Sequence, residues 1–103
     1  MKFTKRKNAR GFTVVDFQDS YGEDCNIQIS SAVTPHIWLG IFSQKVRIMC
    51  KDAKAIGLEC GETGWCDYPI PDAAFIPTRM HLTKKQSFRL ALKLLKFAFF
   101  GQI

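Results

Sequence analysis

The two ends of this chain contain no acidic residue: residues 1–10 carry Lys2, Lys5, Arg6, Lys7 and Arg10, and residues 84–103 carry Lys84, Lys85, Arg89, Lys93 and Lys96. All nine acids lie between them with the remaining five bases, so an acidic body of net −4 is flanked by two basic ends. The overall charge of +6 favours an acidic partner. Long apolar runs are also lacking. Leu90 to Phe100 is broken by Lys93 and Lys96 and falls short of the ~20 apolar residues a bilayer span requires. The basic start is not followed by the apolar segment of a secretory signal, because Asp16 ends the Phe12–Val15 run. The expectation is a cytoplasmic protein with no membrane partner.

No Cys-x-x-Cys pair occurs, which removes the common zinc and thioredoxin-type frames. Cys25, Cys50, Cys60 and Cys66 are even in number and could form two disulfides, but without an export signal they are expected as reduced thiols. Cys25 is expected to pack in a strand. The alternative, zinc held by Cys60 and Cys66 with His36 or His81, matches no common spacing. No metal and no cofactor are assigned. A Gly-x-Ser-x-Gly elbow and a glycine-rich phosphate loop are likewise missing, and the acids at Asp16, Asp19, Glu23 and Asp24 crowd a turn without the alternation a calcium loop needs. The reading is not an enzyme.

What is present is enough apolar and aromatic residue, 47% and 13%, to fold one domain of 103 residues. Phe12 to Gln18 reads as an internal strand, and Cys25, Ile27 and Ile29 alternate with Asn26, Gln28 and Ser30 as a half-buried one. Ile37 to Phe42 is apolar on both faces, with Trp38 expected in the core, and Val46 to Cys50 alternates as a fourth strand. Residues 52–57 suggest a short helix, residues 58–77 a long irregular connection, and Arg79 to Leu82 a last strand. Thr83 and Gln86 form a capping box before a helix over Lys84 to Phe100, closed by Gly101. The expected fold is α+β: an antiparallel sheet of four to five strands with one long C-terminal helix packed on it. Residues 1–10 form a basic arm, flexible in this reading, ahead of a single domain over 11–103.

On that helix Lys85, Arg89, Lys93 and Lys96 share one stripe. Phe88, Leu92, Leu95 and Phe99 share one apolar arc, and Leu90, Leu94 and Phe97 another. A sheet covers one arc, so the second should meet the irregular connection or a second subunit, which leans toward a homodimer. Three binding surfaces follow. Arg79, His81, Thr83, Lys84 and Lys85 surround the helix start, where free amides attract a phosphate; the alternative is an ordinary solvated helix end. Lys5, Arg6, Lys7 and Arg10 of the arm, with Arg89 and Lys93, could follow a nucleic-acid backbone. Trp65 and Tyr68, in a loop bounded by glycine and proline, suit a protein partner, though Trp65 could equally fold back over the second arc.

Read in order, Phe17-Gln18-Asp19-Ser20-Tyr21-Gly22, Cys25, Gln28, Ser30-Ser31, Ile37-Trp38-Leu39-Gly40, Thr63-Gly64-Trp65, Tyr68-Pro69-Ile70-Pro71-Asp72 and Arg79-Met80-His81-Leu82-Thr83 resemble a family of small phage and prophage proteins over about residues 16–101. The departure is the helix, where the family tends to carry acids near the end and this chain is basic and Phe-rich. The resemblance implies a binding protein in a host bacterial cell that blocks a defence system, as anti-CRISPR proteins do. Its partner would be a host defence protein or ribonucleoprotein complex, captured through protein, RNA or nucleotide. The alternative is a nucleic-acid-binding accessory protein that uses the arm and the helix stripe.

Overall fold

The structure is a computed structural model that describes residues 1–30, 34–42 and 45–103; Ser31 of the family resemblance lies outside them. The chain divides into two compact units, Met1–Ser43 with Pro77–Ile103, and Gln44–Ile76, where the sequence suggested one domain after the arm.

The first unit is a five-stranded antiparallel sheet in the order β1 (Thr4–Lys7), β2 (Thr13–Gln18), β3 (Asp24–Ser30), β4 (His36–Ile41) and β7 (Arg79–Thr83). β2, β3 and β4 each turn back on the strand before, so the pairing is local and the sheet is a meander closed at one edge by β7. Residues 4–7, expected in an arm, form the other edge strand. Thr4, Lys5, Arg6 and Lys7 stand opposite Asp16, Val15, Val14 and Thr13, and the Arg6 guanidinium grips the Asp16 carboxylate at 2.5 Å. That pair and the Lys7 Nζ bond to Thr13 Oγ1 give the polar segment a partner that a free tail lacks. The carboxylate also raises the Arg6 pKa, so this side chain stays charged.

Because side chains alternate across a strand, the register sorts the two faces. Val15, Ile27, Leu39 and Met80 form one cross-strand row, flanked by Phe17, Ile29, Ile37 and Leu82, and this face is apolar. Val14, Gln28, Trp38 and His81 form a row on the other, and Asp16, Asn26, Gly40 and Arg79 lie beside it. Among the described residues, Val14 and Cys25 are the buried apolar residues of this unit, and Asn26 is its buried polar one. Burial of the Cys25 thiol, helped by the negative field of Asp19, pushes its pKa up, which makes it a poor nucleophile. Cys25 therefore packs in a strand as the sequence implies.

The last element, α2 (Lys84–Phe100), begins without a loop. Thr83 ends β7 and is also the N-cap: its hydroxyl accepts the Gln86 amide while the Gln86 side chain accepts the Thr83 amide. Gly101, at φ 67°, ends the helix in the left-handed conformation expected of a C-terminal glycine. The α+β architecture is therefore the one the sequence implies, and the expected packing is not: no residue of α2 is buried. Phe88, Leu92, Leu94, Leu95, Phe97, Phe99 and Phe100 are each more than half exposed, from 51% at Leu92 to 77% at Phe99. Thr83 ends β7 and caps α2 in one residue, and among the strands α2 lies close chiefly to β7, the strand it continues.

The second unit holds β5 (Arg47–Met49), α1 (Cys50–Ala53), a 3₁₀ turn at Lys54–Ile56 and β6 (Trp65–Asp67). The fourth strand expected from Val46 to Cys50 is here, in a separate two-stranded ribbon with β6, which the sequence read as irregular. Ile48 pairs with Cys66 and Met49 with Trp65. Among the described residues its buried ones are Cys50 and Ala53. Cys50 and Cys60 are joined by a disulfide, correcting the expectation of reduced thiols throughout; the short 3₁₀ turn and loop after α1 return Cys60 to the start of that helix. Cys25 and Cys66 are free. Among the described residues, no helix is long and apolar enough to cross a membrane.

Candidate functional site

The polar face of the main sheet carries a ladder of planar side chains. His36 stacks on His81 with ring centroids 4.7 Å apart and planes at 24°, and His81 stacks on Trp38 at 4.1 Å and 22°. The Arg79 guanidinium carbon lies 5.4 Å from the centre of the Trp38 ring. The order along the ladder is thus His36, His81, Trp38, Arg79. It arises from register: Trp38 stands opposite His81 and Gly40 opposite Arg79, so side chains of β4 and β7 interleave on one face.

Strand β3 fixes this ladder from beside it. Arg79 Nη1 donates to Gln28 Oε1 at 3.0 Å and to Asn26 Oδ1 at 3.3 Å. Asn26 is the buried member, so the charge-assisted bond both satisfies its carbonyl and aims the guanidinium. His81 Nε2 meets Ser30 Oγ at 3.1 Å, and His36 Nδ1 donates to the Thr34 carbonyl at 2.8 Å. Two of the five guanidinium donors of Arg79 are spent on β3, and among the described residues the others make no further hydrogen bond. A cationic plane closes one end of the stack and an imidazole the other. Such a surface suits a base at His36 and a phosphate at Arg79.

The sequence-predicted anion site is only partly assembled. Arg79 and His81 do share one strand face, as expected, but both point along the sheet toward β3 and do not close over the helix start. Thr83 is engaged in the capping box. Lys84 and Lys85 are exposed, and Lys84 borders an open groove of about 250 Å³ whose other walls include Ile29, Pro35, Ile37 and Leu82. That groove is apolar and gives a phosphate few donors.

Of the nucleic-acid candidates, Lys5, Arg6 and Lys7 sit on β1, and Arg10 follows in the turn to β2, its guanidinium carbon 5.9 Å from the centre of the Phe12 ring. Arg89 and Lys93 are exposed on α2. Trp65 and Tyr68 are exposed in the second unit, at 64% and 44%. Trp38 corrects the expectation of a core tryptophan: it is half-buried on the polar face. His36, Asn26, Gln28 and Ser30 were missed as site residues. Their signal was parity, since Asn26, Gln28 and Ser30 alternate on β3 and His36 and Trp38 alternate on β4.

The Ser30–His81 contact is a hydroxyl beside a base, which nucleophilic catalysis requires. Among the described residues no carboxylate is hydrogen-bonded to the His81 ring, so the third, orienting group of such a site is lacking there. In the second unit the sulfurs of Cys60 and Cys66 gather with that of Cys50, where the sequence had suggested a histidine; all three lie within 4.8 Å of one another. No protein-family model, no curated protein and no solved structure matches the chain.

Proposed function

We propose that this is a small binding protein that captures single-stranded RNA, or the RNA-bearing component of a host defence complex, on the polar face of its sheet, without chemistry of its own. The observation that carries the reading is the His36–His81–Trp38–Arg79 ladder. Stacked planar groups ending in a guanidinium offer a base a π-face and its phosphate a charge-assisted bond within one strand pair. The basic residues Lys84, Lys85, Arg89, Lys93 and Lys96, with no acid among them, extend a positive field beyond the sheet edge. The phage setting and the role in counter-defence rest on the resemblance of the short sequence pieces.

A second reading, capture of a defence protein, is favoured by the exposure of Trp65 and Tyr68 on and beside β6. One experiment separates the two. Tagged protein is used to recover partners from host lysate at about 0.15 M salt, with and without ribonuclease. The RNA reading predicts recovery that ribonuclease abolishes and that Trp65→Ala leaves unchanged. A discrete protein that survives ribonuclease and is lost in Trp65→Ala would overturn it in favour of the second reading.

A further inference from the structure

We infer that Cys50, Cys60 and Cys66 form a thiolate site for one zinc ion when the Cys50–Cys60 disulfide is reduced. A disulfide requires two cysteines, and three sulfurs converge here within 4.8 Å. Zinc bonds thiolate sulfur at about 2.3 Å, which in tetrahedral geometry sets the sulfurs roughly 3.8 Å apart. Reducing the Cys50–Cys60 bond frees those two sulfurs to separate to that spacing. The three ligands come from three segments: Cys50 opens α1, Cys60 lies in the loop beyond it, and Cys66 sits on β6 opposite Ile48. The Cys50 amide donates to the Gly64 carbonyl at 2.9 Å, which ties the first ligand to the approach of the third.

The unit also needs a staple. Units below about 40 residues rarely fold on apolar burial alone, and this one buries only Cys50 and Ala53 among its described residues. The disulfide supplies the staple in an oxidised chain. In a reduced chain the same sulfurs supply it through the metal, and Cys66 is the residue the exchange requires. The chemistry balances: a dithiol reductant gives two electrons and two protons to the Cys50–Cys60 bond and leaves as its own disulfide. The ion then displaces three thiol protons to solvent and takes water as its fourth ligand.

The test is a cobalt titration, because thiolate-bound Co²⁺ gives an intense charge-transfer absorption that Zn²⁺ then removes. Fully reduced protein is expected to bind one Co²⁺ per chain, with zinc displacing it at one equivalent, and the oxidised protein to bind none. Cys66→Ser should lower the affinity by more than about 100-fold, beyond the loss typical of an outer-shell partner. Its retained Cys50–Cys60 bond allows its fold to be verified in the oxidised state, and Cys25→Ser should bind as wild type does. Absence of the band in reduced wild type, or equal binding by Cys66→Ser, overturns the site.

A different observation carries a second proposal: the uncovered apolar faces of α2 and the main sheet are covered by a second copy of this chain. The α2 arc of Phe88, Leu92, Leu95 and Phe99 exposes roughly 450 Å², taking about 200 Å² for each aromatic side chain and less for leucine, and the sheet face adds to it. A standard interface buries about 800 Å² per partner. The sheet presents Ile27, Ile37, Leu39 and Met80 on a face that its own helix borders only at its first turn, beside Ile37 and Leu82, and a two-fold axis lets each helix cover the other copy's sheet. Sedimentation velocity should show a dimer at micromolar concentration. Leu92→Glu with Phe99→Glu, at exposed positions that no strand packs against, should give a folded monomer. A wild-type monomer, whether free in solution or bound to anionic vesicles, overturns the assignment.

Discussion

Replacing Gly40 with alanine is expected to destabilise the protein by about 3 kcal/mol or more, among the largest effects available to a single methyl group. The new Cβ would stand 2.6 Å from the Thr78 carbonyl oxygen and 2.9 Å from the Arg79 Cα, both backbone atoms of the chain entering β7. Neither can swing aside as a side-chain tip would. Gly40 also sits at φ 149°, which side-chain-bearing residues seldom adopt. Relief requires β7 to move off β4, and that costs the Thr78 hydroxyl its bond to the Ile41 carbonyl. The melting temperature should fall by more than about 12 °C, at roughly 4 °C per kcal/mol for a chain of this size. Gly61→Ala is the control: its Cβ meets nothing nearer than 3.9 Å, at ordinary φ, and should be near neutral. A Gly40→Ala protein as stable as wild type would mean that β7 does not press on β4 as described.

Trp38→Ala is expected to lower affinity for single-stranded RNA by about 1–3 kcal/mol, or roughly 5- to 160-fold, the range for losing one aromatic stacking group. Trp38 is the central rung: His81 stacks on it at 4.1 Å and Arg79 lies 5.4 Å from its ring centre. Without it the imidazole pair and the guanidinium lose their common support. The half-buried ring is not an anchor of the core, which in this unit is Val14 and Cys25, so the variant should keep its sheet by circular dichroism. Trp38→Phe should retain most of the affinity. A folded Trp38→Ala protein with wild-type affinity would remove the ladder from the binding surface.

The elements that local pattern dictates were legible in the sequence. The alternation of Cys25, Ile27 and Ile29 marked β3, and Thr83 with Gln86 marked the start of α2 to the residue. What escaped depends on contacts distant in sequence. β1 is a polar tetrapeptide whose strand character comes from Asp16 and Thr13 of its neighbour, and β6 is three residues paired to β5 across a loop. The ladder was hidden for a related reason. Ile37, Trp38 and Leu39 read as one apolar run, and only the register of β4 against β7 separates Trp38, beside His81, from Ile37 and Leu39 on the opposite face. Arg79 and His81 were singled out correctly as neighbours on one face. Their direction toward Asn26, Gln28 and Ser30, rather than toward Lys84 and Lys85, is again a property of strand order. The disulfide was missed because its argument was compartmental, whereas the turn after α1 returns Cys60 to Cys50 whatever the compartment.

The central claim is most directly tested by the anisotropy of a labelled single-stranded RNA oligonucleotide titrated with the protein between about 0.05 and 0.2 M salt. The account predicts saturable binding whose log affinity falls linearly with log salt, by about 0.7 for each phosphate contact. Combined neutralisation of Lys5, Arg6, Arg89 and Lys93 should flatten that slope, and Arg79→Ala should weaken binding at every salt concentration. No binding at the lowest salt, or binding indifferent to Trp38 and Arg79, would contradict it.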